Sequence, residues 1–176
     1  MFLSVKEMEV RKVRFDVTFP VGRLDFSAEE LVQAGPLQAS GDAELLENSG
    51  GDFRVVGRYT VEMESQCDRC LGRARFALDA ALDLFYQPAK VIAVDEEVAI
   101  DKNEAEIGFY NGDGIELEEI LHEQILLSLP MQRVCSEDCR GICPECGVNR
   151  NEVSCGCAEK ESDPRWTALR HLAKKL

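Results

Sequence analysis

The chain has 176 residues, 45% of them hydrophobic, and a formal net charge of −13. That is enough for one ordinary domain with a small appendage, and too apolar for wholesale disorder. The acidity tells against a broad basic surface wrapped around nucleic acid, and no run approaches the ~20 apolar residues of a membrane span. It is also uneven: residues 131–176 hold 8 Lys and Arg against 7 Asp and Glu, leaving 12 against 26 in residues 1–130. Met1-Phe2-Leu3-Ser4-Val5-Lys6-Glu7 carries charges where a signal peptide needs an apolar run, so the sequence reads as soluble, cytoplasmic and exposed to a reducing milieu. In that setting eight cysteines at short spacings point to metal ligation rather than disulfides.

In chain order, Val10–Phe19 alternates apolar and polar residues and predicts a strand. Ser27-Ala28-Glu29-Glu30-Leu31-Val32 predicts a helical turn with Ser27 as cap and Glu30 in the capping-box position. From Leu37 to Tyr86 the pattern is that of strands. Phe53–Glu64 places Tyr59, Val61 and Met63 on one face, and Arg75–Phe85 alternates through Phe76, Leu78, Ala80, Leu82 and Leu84. Cys67-Asp68-Arg69-Cys70 falls in the turn between them. After Pro88 an acidic, loop-like stretch leads to about Gly114. Ile115–Leu129 then has helical spacing, with Asp113 and the glutamates suiting its N-terminus and Pro130 ending it. Asp163-Pro164-Arg165-Trp166 predicts a last helix, with Asp163 as cap and Pro164 at the first position. His122 and His171 read as solvated.

The fold expected is α+β: an antiparallel meander or barrel-like sheet, a few helices and a C-terminal cysteine-rich zinc module. The division expected is a β-rich body over 1–130 and a metal-binding tail over 131–176.

Six cysteines of the tail run Cys135-x3-Cys139-x3-Cys143-x2-Cys146-x8-Cys155-x-Cys157. Two thiolates spaced by two residues reach one metal when the backbone turns tightly, Pro144 presets that turn, and Gly147 opens amide access to the second sulfur. Zinc takes four such ligands tetrahedrally. Cys155-Gly156-Cys157 supplies a second close pair. Cys135 and Cys139 either replace that pair or belong to a second site. For Cys67 and Cys70 three readings stand: ligands of the second site, a redox dithiol, or half-buried thiols. The redox reading expects the motif at a helix N-terminus, where the thiol pKa falls. A site of four thiolates has no open position and reads as structural. With no phosphate-binding glycine loop, nucleophile–base pair or acidic metal triad, no enzyme is expected. Arg133, Arg140, Arg150, Arg165 and Arg170, with Lys174 and Lys175, are candidate RNA contacts, although ordinary solvation accounts for them too.

Four stretches together resemble the YceD family, the large ribosomal RNA subunit accumulation proteins of bacteria and plastids. They are Cys67-Asp68-Arg69-Cys70-Leu71, the helix ending Leu127-Ser128-Leu129-Pro130, the run Asp138-Cys139-Arg140-Gly141-Ile142-Cys143-Pro144-Glu145-Cys146-Gly147-Val148-Asn149, and Asp163-Pro164-Arg165-Trp166-Thr167-Ala168-Leu169. The third is the specific one. Arg150 departs from the leucine expected there and leaves the cysteines untouched. The resemblance implies a part in accumulation or processing of the 23S ribosomal RNA precursor, with the RNA precursor or a basic assembly protein as partner. Some members of the family lack the cysteine tail, which implies that the metal module elaborates the fold.

Overall fold

A computed structural model describes residues 1–89 and 107–157. Strand β1 (Phe2–Ser4) leads into the short helix α1 (Val5–Met8), followed by β2 (Val13–Phe19), β3 (Leu31–Gln33), β4 (Leu37–Leu45), β5 (Phe53–Gln66), β6 (Arg73–Pro88), β7 (Ile107–Tyr110), β8 (Gly114–Glu116) and α2 (Leu117–Leu127). The main sheet runs β2-β4-β5-β6-β7, with β3 paired to the far end of β5. The long hairpin of β5 and β6 is its spine: fourteen Cα pairs in register, from Phe53↔Tyr86 to Gln66↔Arg73. A separate two-stranded ribbon joins β1 to β8.

The alternation along β5 explains why the sheet has one covered face. Phe53, Val55, Tyr59, Val61 and Met63 are all buried and meet Leu78, Leu82 and Tyr86 from β6. Helix α2 lies in the same core through Leu117, Ile120, Leu121 and Ile125, each fully buried. The Tyr59 hydroxyl donates to the Gln124 carbonyl at 2.8 Å and shares a hydrogen bond of 2.8 Å with Ser128 Oγ, tying β5 to the end of the helix. On the opposite face β5 and β6 exchange exposed ion pairs, Arg54–Asp83 and Arg58–Asp79; such pairs add little stability. In one lateral row across β2, β4 and β5, Phe15 pairs with Gly41, which pairs with Gly57, and the ring closes over both glycines. A Cβ on Gly41 would stand 2.2 Å from the Val56 carbonyl and 2.7 Å from Phe15 Cζ. The sheet needs its glycines there.

Several expectations are corrected. Among the described strands the sheet is open rather than barrel-like, and it is not wholly antiparallel, because β7 pairs parallel to β6 from Phe85↔Ile107 to Pro88↔Tyr110. The expected loop between Pro88 and Gly114 therefore contains strand β7 and ends where β8 begins, with residues 90–106 outside the described residues. The turn at Ser27 is a single 3-10 turn over Ser27–Glu29. Glu30 ends it in the left-handed region at φ 56°, and Asp25, whose Oδ1 accepts from the Ser27 N–H, does the capping. Leu31 and Val32 belong to β3, since pairing with Ser65 and Glu64 outweighs one local capping pattern. The main helix starts at Leu117, two residues later than its spacing suggested, because Ile115 and Glu116 pair with β1. His122 is half-buried, stacked on Phe26 with ring centroids 4.6 Å apart and its Nε2 at 3.0 Å from the Asp25 carbonyl. The expected last helix, with His171, lies outside the described residues.

Candidate metal centres

All eight cysteines are free thiols and fall into two groups of four. Cys67, Cys70, Cys135 and Cys139 form one, hereafter the hairpin site; Cys143, Cys146, Cys155 and Cys157 form the other, the tail site. Within each group all sulfurs lie within 4.8 Å of one another.

Each group starts from the same backbone device. In the turn of the β5–β6 hairpin the Cys67 N–H donates to the Gly72 carbonyl at 2.7 Å, and the Leu71 N–H to the Cys67 carbonyl at 2.9 Å. In the tail the Cys143 N–H donates to the Val148 carbonyl at 2.8 Å, and the Gly147 N–H to the Cys143 carbonyl at 2.9 Å. The residue after the second cysteine is left-handed in both, Leu71 at φ 61° and Gly147 at φ 72°. Two stretches with little shared sequence beyond C-x2-C thus make one knuckle, which brings two sulfurs together and directs backbone amides at the first of them.

Those amides set the thiol chemistry. Burial pushes the Cys67 thiol up, but N–H groups of Cys70, Arg69 and Cys135 directed at its sulfur outweigh burial and hold it down to about 6. Amides of Cys146 and Glu145 hold Cys143 down to about 6 in the same way. The late members move oppositely. An amide from Gly72 favours the Cys70 thiolate, yet burial and the sulfurs of Cys67, Cys135 and Cys139 push it up to about 12. Cys157 is pushed up to about 12 by the sulfurs of Cys146 and Cys143. Crowded thiolates repel one another, so the second and later protons leave readily only when a cation takes their place.

The hairpin site joins segments distant in sequence. Cys67 and Cys139 sulfurs are 3.9 Å apart, and those of Cys70 and Cys135 3.6 Å apart. Cys67, Cys70 and Cys139 are buried with Ala74, and Val134 packs against them; Cys135 faces solvent. Asp68 and Arg69, the two residues inside the C-x2-C, grip the tail. Asp68 holds the Arg133 backbone at both polar groups: its N–H donates to the Arg133 carbonyl at 2.8 Å, and its carboxylate Oδ2 accepts the Arg133 N–H at 2.6 Å. Arg69 Nη1 donates to the carbonyls of Glu137 and Cys139, Nη2 to Gln132 Oε1, and the Arg69 carbonyl accepts the Ile142 N–H at 2.9 Å. Gly141 permits this last approach at φ +69°, since a Cβ there would meet the Arg69 carbonyl oxygen at 2.8 Å.

The tail site is local and more open. Cys143 is buried, Cys155 half-buried, and Cys146 and Cys157 exposed. Asn151, inside its long loop, links the two centres. Its Nδ2 donates to Cys139 Sγ at 3.3 Å and its Oδ1 accepts the Arg140 N–H at 2.8 Å. Nothing in sequence spacing marked Asn151 for this role, and the roles of Asp68 and Arg69 were visible only as part of a motif. Both centres offer four soft thiolate donors in a closed set, which suits a tetrahedral d10 ion such as zinc as a structural element.

Of the candidate RNA contacts, Arg133 is half-buried with its Nε 3.9 Å from an Asp68 oxygen, while Arg140 and Arg150 are exposed. Arg165, Arg170, Lys174 and Lys175 lie outside the described residues. No described helix is long and apolar enough to cross a membrane.

A family model described as large ribosomal RNA subunit accumulation protein YceD matches residues 55–173, which take in both knuckles. An uncharacterized protein of Mycobacterium tuberculosis is 34% identical over 116 residues, 65% of this chain and 53% of that protein. The uncharacterized protein YlbN of Bacillus subtilis is 26% identical over 177 residues, 98% of this chain and 94% of the relative. A chloroplastic protein of Arabidopsis thaliana, named large ribosomal RNA subunit accumulation protein YCED homolog 1, is 26% identical over 62 residues, 35% of this chain and 19% of its own. The chain spans about half the length of the mycobacterial relative. No solved structure matches it.

Proposed function

The chain belongs to the YceD family, and on that premise we propose that it is a non-enzymatic, cytoplasmic ribosome-assembly factor. It supports accumulation or processing of 23S ribosomal RNA in the large subunit, with a structural zinc ion in the tail. The observation that carries the non-enzymatic part is the closure of the thiolate groups. Each sulfur cluster supplies the full four donors of a tetrahedral ion, leaving no position for substrate or water. Cys143, Cys146, Cys155 and Cys157 hold the zinc, which orders a segment with little apolar core of its own. The partner is the ribosomal RNA precursor or a basic assembly protein; the acidic body favours the latter, because complementary charge steers association.

Depletion of the chain in its own cells, followed by quantification of 23S precursor and mature RNA and by crosslinking, tests this. The expected result is loss of mature 23S relative to 16S RNA, with ribosomal RNA or basic ribosomal proteins recovered on the chain. Unchanged 23S levels would refute the assignment. Thiol-redox activity at Cys67 and Cys70 is the competing reading. It loses ground because the pair sits in a strand-to-strand turn rather than at a helix N-terminus.

A further inference from the structure

We propose that Cys67, Cys70, Cys135 and Cys139 hold a second thiophilic divalent ion of the zinc type, and that this ion fastens the tail to the β5–β6 hairpin. The inference goes beyond the single tail zinc of the proposed function and rests on different residues.

Four observations carry it. First, all four sulfurs lie within 4.8 Å of one another, and two of their separations match the edge of a tetrahedral site. Zinc–sulfur bonds of ~2.3 Å at tetrahedral angles set ligand sulfurs about 3.8 Å apart. The separations Cys67–Cys139, 3.9 Å, and Cys70–Cys135, 3.6 Å, bracket that value. A disulfide needs ~2.05 Å and would pull one pair out of the set. Moreover, the sulfurs in these contacts belong to different segments, so the arrangement is not that of a dithiol isolated within Cys67-x2-Cys70.

Second, the knuckle is built against local backbone preference. Leucine in the left-handed region costs about 1–2 kcal/mol, and Leu71, 55% exposed, recovers little of that by burial. The same conformation recurs at Gly147, beside a cluster that needs both of its knuckle sulfurs. The same left-handed turn at two unrelated places, accepted by a leucine at one of them, points to a shared ligand requirement.

Third, the sulfurs are dressed with N–H donors as metal thiolates are. The Cys135 N–H points at Cys67 Sγ at 3.4 Å, and Asn151 Nδ2 donates to Cys139 Sγ at 3.3 Å. Such outer contacts orient ligands and spread the net −2 charge of an ion held by four thiolates.

Fourth, apart from the sulfurs the segments are joined by polar contacts and not by an apolar core. The small cluster around the site consists of Cys67, Cys70, Ala74 and Cys139, with Val134 against it. Remove the sulfurs from that group and two small side chains remain. Hydrogen bonds from Asp68, Arg69, Arg133 and Ile142 cross between the segments, but bonds beside solvent are individually worth little. An ion with ligands on both segments makes one cross-link of them.

The test uses the full chain, titrated with cobalt under reducing conditions and analysed for bound zinc after expression. Tetrathiolate cobalt absorption is expected to saturate at two equivalents, with two zinc ions per chain in the purified protein. Cys67→Ser and Cys146→Ser should each reduce the zinc ratio to one. In Cys67→Ser the Asp68, Arg133 and Ile142 amides should exchange hydrogen at least tenfold faster, while Cys146→Ser leaves them near wild type. Saturation of the wild type at one equivalent overturns the second ion, and this holds even if Cys67→Ser fails to fold. Two equivalents with unaltered exchange in a folded Cys67→Ser overturns the fastening. Rapid thiol alkylation of Cys67 in the metal-loaded wild type would overturn the site in favour of a redox pair. None of these results depends on 23S levels, so failure of the assembly role and failure of the second ion are separable.

Discussion

The two knuckles permit a reciprocal experiment on a single backbone angle. Leu71 and Gly147 occupy equivalent positions, at φ 61° and φ 72°, and each donates its N–H to the carbonyl of the first cysteine in its motif. A methyl group at Gly147 would meet nothing within 4 Å, so Gly147→Ala tests conformation without a steric clash. Left-handed backbone costs an alanine about 1 kcal/mol or somewhat more, against which the stiffer unfolded chain returns ~0.4–1 kcal/mol. The net expectation is a loss of a few tenths to about 1 kcal/mol. That loss falls on the tail site, so zinc affinity there drops by up to about fivefold. Leu71→Gly runs the other way. It relieves ~1–2 kcal/mol of strain, forfeits ~1 kcal/mol to the looser unfolded state, and loses little burial because Leu71 is more than half exposed. The hairpin site should therefore be unchanged or tighter by up to about fivefold. Competition against a calibrated zinc chelator, combined with urea unfolding, measures both. If Gly147→Ala tightens the tail site, or Leu71→Gly loosens the hairpin site more than tenfold, the equivalence of the knuckles is wrong.

Asn151→Ala removes an N–H donor from Cys139 and the acceptor of the Arg140 N–H, and metal affinity at the hairpin site is expected to fall about 10–100-fold; equal affinity in a chelator titration would contradict the outer contact. Gly41→Ala drives a methyl to 2.2 Å from the Val56 carbonyl in the centre of the sheet, so equilibrium unfolding should show a loss of about 3 kcal/mol or more, and a loss under 1 kcal/mol would refute so close an approach at the paired glycines. Acid should strip the metal. Cys67 and Cys143, at about 6, are depressed below a free thiol, so their thiolates favour the folded state above that value and the contribution is lost as pH falls through it. A bound cation lowers the value further, placing the release midpoint below about pH 6; a colorimetric zinc assay showing release above pH 7 would contradict it.

The strands were legible where period-two alternation ran long, as in β5 and β6, because a half-buried sheet imposes that pattern on every second residue. Burial of Tyr59, Val61 and Met63 on one face follows from it. What escaped were the features set by partners far along the chain. The parallel pairing of β7 beside β6 depends on a crossover, and four residues of β7 carry too short a pattern to announce it. At Ser27 the local capping signal was genuine in form, yet the following residues pair with β5, and Glu30 turns left-handed to let them. His122 looked solvated because helix spacing cannot show Phe26 lying across its ring. The metal centres divide in the same way. Cys143, Cys146, Cys155 and Cys157 are close in sequence and their grouping could be read from spacing. The hairpin site was legible only as one alternative among several, since Cys67 and Cys139 meet across 72 positions and the order of cysteines along the chain is silent about which distant pairs converge.

The charge around these centres bears on the partner. Each ion held by four thiolates adds a net −2, so two filled sites would add −4 to the metal-bearing end of a protein that is already acidic. Of the described candidate arginines, Arg133 is turned toward Asp68, which leaves Arg140 and Arg150 exposed there. Phosphate contacts to single-stranded RNA reduce log K by about 0.7 per decade of salt for each charge neutralised. The two described arginines alone would give a slope of about −1.4, about 12-fold weaker binding from 50 to 300 mM salt. An acidic body facing a basic protein predicts a different pattern, in which the association rate falls as salt rises while the complex, once formed, dissociates at a nearly constant rate. Binding to a 23S precursor fragment and to basic ribosomal proteins, each measured from 50 to 300 mM salt, separates the two. An RNA slope steeper than about −4 would mean that a basic surface elsewhere governs recognition, and the argument for a protein partner would fail.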